Sequence, residues 1–335
     1  MAATNLGIIG LRMGSSHLGA ARQLPGVAVR AICDLDPDRL AQVQRESGVE
    51  RACLDYRELL DDPELDLVVV ATPDHLHREH TVAALQAGKH VLCEKPMAPT
   101  LEACAQMVAA ARSAGRTLAI GHLVRFTPIF AYLKRLVDRG ELGELYYVSS
   151  TYEHDYDRVA GAWRFDPQLA RHVFLGGGCH SVDLMRYFLG DVERVSAVGS
   201  HLALPRLPLD DTVAALYSTA RGQIGHVLTA GGARRPYVLS LALYGTRGTA
   251  LASNVDSECR LWTREMLDPL GDRWATVPAP LDSHPVRTQL EHVLECLRTG
   301  AEPLVNGEEG MRTVAAALAA IQASTTGQPT PVAKV

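Results

Sequence analysis

The chain has no block of basic residues and no long apolar segment. Its net charge of −5 excludes nucleic acid and an anionic membrane as expected partners, because both bind positively charged surfaces. A membrane-spanning helix requires about eighteen or more consecutive apolar residues, and no such run occurs. The first five residues contain no basic segment and no cleavage site. We therefore expect no secretory signal and a cytoplasmic protein.

Paired cysteines are also missing. The seven cysteines are odd in number and scattered, and no two of them form a C-x-x-C pair. This pattern argues against a disulfide framework or a zinc site and indicates reduced thiols. The spacing of His154, His172 and His180 matches no usual set of metal ligands, so no metal is expected.

What the chain does contain, over its first 120 residues, is a regular alternation of strand-like and helix-like patterns. The strand-like runs are Leu6–Ile9, Val27–Cys33, Leu67–Ala71, Val91–Cys93 and Thr117–Ile120. Repeated β-α alternation predicts a doubly wound parallel sheet, since parallel strands need crossover connections that helices usually supply.

After about residue 121 the strand candidates follow one another with turn residues between them. This series predicts a second, α+β domain with a large and mostly antiparallel sheet. We place the first domain at residues 1–121 and the second at 122–335. Helical patterns at Arg287–Leu297 and Gly310–Ser324 suggest helices that pack back on the first domain.

A glycine-rich turn joins the first strand to the first helix and contains Gly10 and Gly14. Asp34 lies at the end of the second strand, twenty residues after Gly14. A carboxylate at this position can accept hydrogen bonds from the ribose hydroxyls of a dinucleotide. The same carboxylate would repel a 2′-phosphate, so NAD is favoured over NADP. The alternative interpretation is a structural turn in which Asp34 caps the next helix.

Two further segments carry residues suited to chemistry. Lys95 follows an apolar strand and precedes a proline, at the strand end where open α/β sheets bind ligands. Lysine is rarely buried without a partner or a task. Further on, three glycines precede a helical pattern that contains His180 and Asp183, which are three residues apart and so share one helix face.

Together these segments resemble the glucose–fructose oxidoreductase, inositol dehydrogenase and MocA family of nicotinamide-dependent oxidoreductases, from Leu6 to about Val332. The resemblance implies hydride transfer between nicotinamide and a hydroxyl of a polyol, sugar or inositol. It implies that Lys95 and His180 handle the hydroxyl proton. It also implies a homodimer or homotetramer assembled through the C-terminal sheet.

The resemblance further assigns contacts residue by residue. The implied cofactor contacts are Gly10, Arg12, Met13, Gly14, Asp34, Thr72, Pro73, His75, Glu94 and Lys95. The implied substrate contacts are Arg125, Tyr152, Arg164 and Asp183. For both arginines a structural ion pair is the alternative, and for His77 we favour a structural place in the first turn of a helix.

Two positions depart from the family pattern. Arg12 stands where a glycine is usual, so it either pairs with the pyrophosphate or obstructs it. Gly176 stands where an aspartate is usual, which leaves the Lys-Asp-His set incomplete. Two alternatives to a dehydrogenase therefore stay open. One is an enzyme that retains NAD and cleaves or eliminates a glycoside through transient oxidation, and the other is an NAD-binding sensor without turnover.

Overall fold

The computed structural model describes residues 4–159, 162–167, 170–264, 273–282 and 284–335. They form two compact units. The first unit comprises Met1–His122 and Val286–Met311, and the second comprises Leu123–Pro285 and Arg312–Val335. No helix in this part of the chain is long and apolar enough to cross a membrane.

The first unit contains a six-stranded sheet in which every strand pair is parallel. The strands are β1 (Thr4–Ile9), β2 (Val27–Cys33), β3 (Arg51–Cys53), β4 (Leu67–Val70), β5 (His90–Cys93) and β6 (Leu118–Ile120). Their order in the sheet is β3-β2-β1-β4-β5-β6. The predicted doubly wound parallel sheet is thus confirmed.

Helices connect these strands. They are α1 (Gly14–Ala21), α2 (Pro37–Ser47), α3 (Tyr56–Leu60), α4 (His77–Gln86) and α5 (Leu101–Ala114). The later helix α10 (Val286–Thr299) packs against α1 in the same unit.

Local sequence explains where these elements begin and end. The Asp36 carboxylate accepts hydrogen bonds from the backbone N–H groups of Asp38 and Arg39, and Pro37 occupies the first turn of α2. The same helix ends at Gly48, which has a left-handed φ of 69°. Every residue of β4 is buried, as expected for a strand that is covered on both faces.

The second unit is built on a nine-stranded sheet. Its strands are β7 (Leu145–Glu153), β8 (Arg194–Ser200), β9 (Thr212–Ser218), β10 (Ile224–Ala230), β11 (Val238–Gly245), β12 (Gly248–Ser253), β13 (Glu258–Thr263), β14 (Ala275–Pro278) and β15 (Thr330–Pro331). Their order is β14-β13-β12-β11-β7-β10-β9-β8-β15. Among the strand pairs that the structure describes, only the central pair β7 and β10 is parallel, so the prediction of a mostly antiparallel sheet is confirmed.

The described helices of the second unit lie mainly before β8. They are α6 (Pro128–Asp138), α7 (Tyr156–Val159), α8 (Val173–Gly176) and α9 (Cys179–Leu189), while α11 (Gly307–Thr326) begins in the first unit and continues into the second. Helix α9 packs against β7 and β10. Gly225 on β10 permits this approach, because a Cβ there would lie 2.5 Å from Sδ of Met185.

Candidate active site

The first candidate site lies at the carboxyl ends of β1 and β4, which are neighbours in the sheet. The chain continues from β1 to β2 and β3 on one side of this point and from β4 to β5 and β6 on the other. Open α/β sheets bind ligands in the crevice between the loops that leave these two strands in opposite directions. Gly10 directly follows β1 and has a φ of 89°. A Cβ at Gly10 would lie 2.7 Å from the backbone of Ala71 and Thr72, so only glycine allows the two loops this close together.

The turn after Gly10 leads directly into α1. Gly14 is the first helical residue, and a Cβ there would lie 2.7 Å from Cγ2 of Ile8. The absence of a side chain at Gly14 therefore lets α1 pack closely on β1. Arg12 is exposed and Met13 is half-buried. The turn thus presents the helix N-terminus with the Arg12 side chain at its surface.

Asp34 connects this turn to the end of β2. Its Oδ2 accepts a hydrogen bond from the N–H of Leu11 at 2.7 Å, and its Oδ1 accepts one from the N–H of Asp36 at 3.0 Å. Nη1 of Arg39 donates to the carbonyl of Leu11 at 3.2 Å. An ionised carboxylate can accept further bonds, and Asp34 is partly exposed. The predicted ribose contact is thus compatible with the position of this side chain.

The loop after β4 contains Thr72, Pro73 and His75. Pro73 and His75 are exposed, whereas Thr72 is half-buried and its Oγ1 lies 3.1 Å from Nδ1 of His80. Burial lowers the pKa of His80 to about 4. His80 is therefore neutral near pH 7, and its Nδ1, when unprotonated, accepts a hydrogen bond from the Thr72 hydroxyl.

Glu94 follows β5 and is 6% exposed. Its Oε1 lies 2.8 Å from Nε2 of the buried His17, and its Oε2 accepts the N–H of Lys95 at 3.2 Å. Burial raises the pKa of Glu94, but the bond to His17 and the charges of His17 and Lys95 outweigh it and lower the pKa. The structure gives this carboxylate an internal role, and its predicted contact with the cofactor remains a prediction.

Lys95 itself is half-buried, and the peptide bond to Pro96 is cis. Both of its neighbours are held by the protein interior. Glu94 is held by His17, and the carbonyl of Pro96 lies 2.9 Å from Nδ1 of His77. Lys95 thus occupies a loop at the carboxyl end of β5 whose backbone is anchored on both sides.

In the second unit, His180 lies in the first turn of α9 and is 8% exposed. Its ring is stacked on Tyr152 with 6.3 Å between the ring centroids. Two of the three preceding glycines are required by packing. A Cβ at Gly177 would lie 2.6 Å from the Tyr152 ring, and one at Gly178 would collide with the Thr229 hydroxyl. Gly176 differs, because the nearest atom to its Cβ position is 3.8 Å away.

Tyr152 belongs to an aromatic cluster that the sequence did not reveal. Tyr156 and Tyr237 contact it, and its hydroxyl lies 2.9 Å from Nδ1 of His154. Burial raises the pKa of Tyr152 well above its usual value of 10. Tyr152 is therefore a neutral phenol at physiological pH, suited to donating a hydrogen bond but not to acting as a base. The density of tyrosine and histidine around β7 was the only signal in the sequence.

Arg125 and Asp183, both predicted to contact the substrate, form a bidentate ion pair with each other. Nε and Nη2 of Arg125 donate to the two carboxylate oxygens at 2.9 and 2.7 Å. Both side chains are buried, and Thr313 also donates to Asp183 at 3.1 Å. This geometry is the structural ion pair considered as the alternative for the arginine, and the substrate contacts of both residues remain predictions.

Arg164 is half-buried in a short turn, Ala162–Phe165. Lys95 belongs to the first unit, whereas His180, Tyr152 and Arg164 belong to the second. The joint action of Lys95 and His180 remains a prediction.

Within the residues that the structure describes, no group of three or more His, Cys, Asp or Glu side chains is arranged to hold a metal ion.

Two family models match the chain. Residues 4–122 match the model described as an oxidoreductase family with an NAD-binding Rossmann fold, and residues 130–251 match the C-terminal domain model of the same GFO/IDH/MocA family. The matched segments lie on either side of residue 123, where the second compact unit begins.

Relatives cover most of the chain. A myo-inositol 2-dehydrogenase of Thermotoga maritima is 30% identical over 91% of this chain and 91% of its own. A levoglucosan dehydrogenase of Pseudarthrobacter phenanthrenivorans is 33% identical over 66% of this chain and 60% of its own. A levoglucosan dehydrogenase solved with NADH and L-sorbose has a TM-score of 0.91 at 24% identity, with complete coverage of both chains, and thus has the same fold.

The buried ion pair provides a test of its structural role. We expect Arg125→Met to lower the free energy of unfolding by about 3–5 kcal/mol, because Asp183 is left buried without its main partner. The double variant Arg125→Met/Asp183→Leu should lose less than the sum of the two single variants. Chemical denaturation measures both. As a control, Arg298→Met removes the exposed pair with Glu295 and should change stability little. Strictly additive losses would contradict the pairing.

Proposed function

Because the chain belongs to the glucose–fructose oxidoreductase, inositol dehydrogenase and MocA family of oxidoreductases, we propose that it oxidises one hydroxyl-bearing carbon of a sugar, polyol or inositol to a carbonyl with NAD, or reduces that carbonyl with NADH. The predicted family, enzyme class and NAD cofactor are confirmed by these matches. The observation that best supports the proposal is the Asp34 carboxylate bonded to the N–H of Leu11, inside the turn at the β1/β4 crevice.

The residues of the first unit suit a dinucleotide. The backbone N–H groups at the start of α1 would bind the pyrophosphate, and Asp34 would accept the ribose hydroxyls. Arg12 is exposed at the same turn, and we propose that it pairs with the pyrophosphate rather than obstructing it, because a guanidinium matches phosphate oxygens. Thr72, Pro73 and His75 would border the nicotinamide, which supplies the hydride acceptor or donor when bound.

The proton of the substrate hydroxyl needs a separate acceptor. We assign this role to Lys95 and His180. Lys95 lies in an anchored loop at the carboxyl end of β5. His180 lies in the first turn of α9, beside the neutral phenol of Tyr152. Tyr152 would donate a hydrogen bond to the substrate, and Arg164 would bind a hydroxyl. These roles rest on the position of each residue within its own unit.

We also propose a homodimer or homotetramer that uses the outer face of the nine-stranded sheet. Val198, Leu216 and Ile224 are 74%, 53% and 46% exposed on the adjacent strands β8, β9 and β10. Neighbouring exposed apolar residues on one sheet face are typical of an interface.

The seven buried cysteines are all free, which supports a reducing compartment such as the cytosol.

A substrate screen tests the proposed function. Purified protein is incubated with NAD or NADP and a panel of sugars, inositols, polyols and sugar acids, and the absorbance of the reduced cofactor is followed. We expect turnover with NAD on at least one substrate. Normal NAD binding with no turnover on any substrate would support the sensor alternative. Release of the aglycone from a glycoside without net NADH would support the glycoside-cleaving alternative.

Asp34 should decide cofactor choice. We expect calorimetry to give tighter binding of NAD than of NADP, and Asp34→Asn and Asp34→Ala to narrow the difference, because each removes the charge that repels a 2′-phosphate. The asparagine keeps an acceptor for the Leu11 N–H. Asp36→Ala is a matched control, since it removes a neighbouring carboxylate that caps α2 and should leave the NAD/NADP ratio unchanged. Equal affinities in the unmodified protein would refute this role.

Lys95 and His180 should control turnover. We expect Lys95→Ala to lower kcat by roughly 100-fold or more, the scale for loss of a positioned acid or base, with NAD binding nearly intact. His180→Ala should also slow turnover, and oxidation should accelerate with pH as a histidine base loses its proton. Lys89→Met is the matched control. Lys89 lies just before the amino end of β5, and its Nζ donates to the Asp62 carbonyl at 2.6 Å. Normal turnover in Lys95→Ala would exclude this relay.

A further inference from the structure

His77 is a buried histidine that the proposed mechanism does not use. It is the first residue of α4 and is 1% exposed. Its two ring nitrogens lie against two different loops. Nε2 is 2.9 Å from the carbonyl of Thr72, and Nδ1 is 2.9 Å from the carbonyl of Pro96. Those loops follow β4 and β5, which are adjacent in the sheet.

Both loops carry residues assigned to the reaction. The loop after β4 contains Thr72 and Pro73, and the loop after β5 contains Glu94 and Lys95. We propose that His77 is a positioning residue that sets the separation of these two loops and thereby the placement of Lys95 beside the nicotinamide site. The proposal rests on the proposed oxidoreductase function and adds a residue that does not itself contact cofactor or substrate.

The chemistry of the two partners makes this contact specific to histidine. Backbone carbonyls only accept hydrogen bonds, so each of them requires an N–H. Imidazole places its two nitrogens on opposite sides of a rigid ring, and no other side chain of similar size does so. Burial lowers the pKa of His77 and outweighs the opposing effect of the Pro96 and Thr72 carbonyls and of the Glu94 charge, so the neutral ring is favoured. The neutral ring donates to one carbonyl, and the protonated ring donates to both.

The other side of the Lys95 loop is held independently. His17, which lies in α1, contacts the Glu94 carboxylate at 2.8 Å. Lys95 is therefore flanked by one residue tied to α1 and another tied to α4. Losing the His77 contact would leave Glu94 in place but release the Pro96 side of the loop. The expected consequence is a displaced Lys95 in a unit that still folds.

Substitution at His77 separates positioning from simple packing. His77→Phe fills similar volume but donates no hydrogen bond, and His77→Gln keeps one donor. We expect His77→Phe to lower kcat about 10- to 100-fold, the scale of a misplacement of about 1 Å. NAD affinity should fall by at most about tenfold, the scale of one lost hydrogen bond. His77→Gln should recover part of kcat, because it can still donate to one carbonyl.

A second histidine of the same sheet supplies the control. His90 begins β5, and its Nδ1 accepts the N–H of Thr117 at 3.0 Å at the end of the strand remote from Lys95. We expect His90→Phe to lower Tm without changing kcat or the Kd for NAD.

Three measurements are made on each variant: Tm, the Kd for NAD by calorimetry, and kcat on the best substrate of the screen. Loss of Tm alone in His77→Phe, with normal kcat and Kd, would overturn the positioning role, as would a His77→Gln variant no more active than His77→Phe. If no substrate turns over in the unmodified protein, the proposed function fails. A Kd for NAD that rises in His77→Phe but not in His90→Phe then supports the positioning role of His77, and an equal Kd in the two variants overturns it.

Discussion

A buried carboxylate at the end of β5 imposes the main constraint on the first unit. An ionised carboxylate in the interior is strongly destabilising unless charged or hydrogen-bonding groups surround it. Glu94 meets this requirement through His17 and the N–H of Lys95. Gly121 completes the environment, because a Cβ there would lie 3.0 Å from Cα of Glu94. Helix α1 and the segment after β6 are therefore both fixed relative to the loop that carries Lys95.

The same edge of the sheet contains the other anchored contacts. Gly10 permits the loops after β1 and β4 to touch, and Asp34 bonds the turn after β1 to the end of β2. His77 spans the loops after β4 and β5. Each contact joins neighbouring strands at their carboxyl ends. A ligand bound there meets a set of groups that already hold one another in place, which reduces the ordering cost of binding.

In the second unit, the equivalent rigidity comes from close packing of aromatic rings and glycines. Gly177 and Gly178 let α8 and α9 approach Tyr152 and Thr229. Burial raises the pKa of both Tyr152 and Tyr237 above the usual tyrosine value, so these phenols stay neutral. Gly176 has no such packing requirement at Cβ, since the nearest atoms to a Cβ there would be in ordinary van der Waals contact, at 3.8 Å from Cδ of Arg171 and 3.9 Å from the Tyr156 hydroxyl.

The sequence alone was sufficient wherever a feature is local. The strand-like runs Leu6–Ile9, Val27–Cys33 and Leu67–Ala71 and the glycine-rich turn all depend on residues close together in the chain, and the structure confirms each of them. The alternation of strands and helices likewise predicted the parallel sheet and the class of the second one. Short strands with weak patterns, such as β3, β13 and β14, were not recognised, because their stability comes from pairing with neighbouring strands.

Tertiary structure decided the roles of individual polar residues. Arg125 and Asp183 are 58 residues apart, and nothing in their local sequence indicates that they pair. His77 looked like an ordinary residue of a helix start, yet its second contact is with a carbonyl 19 residues away. The chemical type of a side chain determines which hydrogen bonds and ion pairs it can form. The folded structure determines which partner lies close enough to form them. The physical reason is that burial makes each polar group take the nearest complementary group in space, whatever its distance along the sequence.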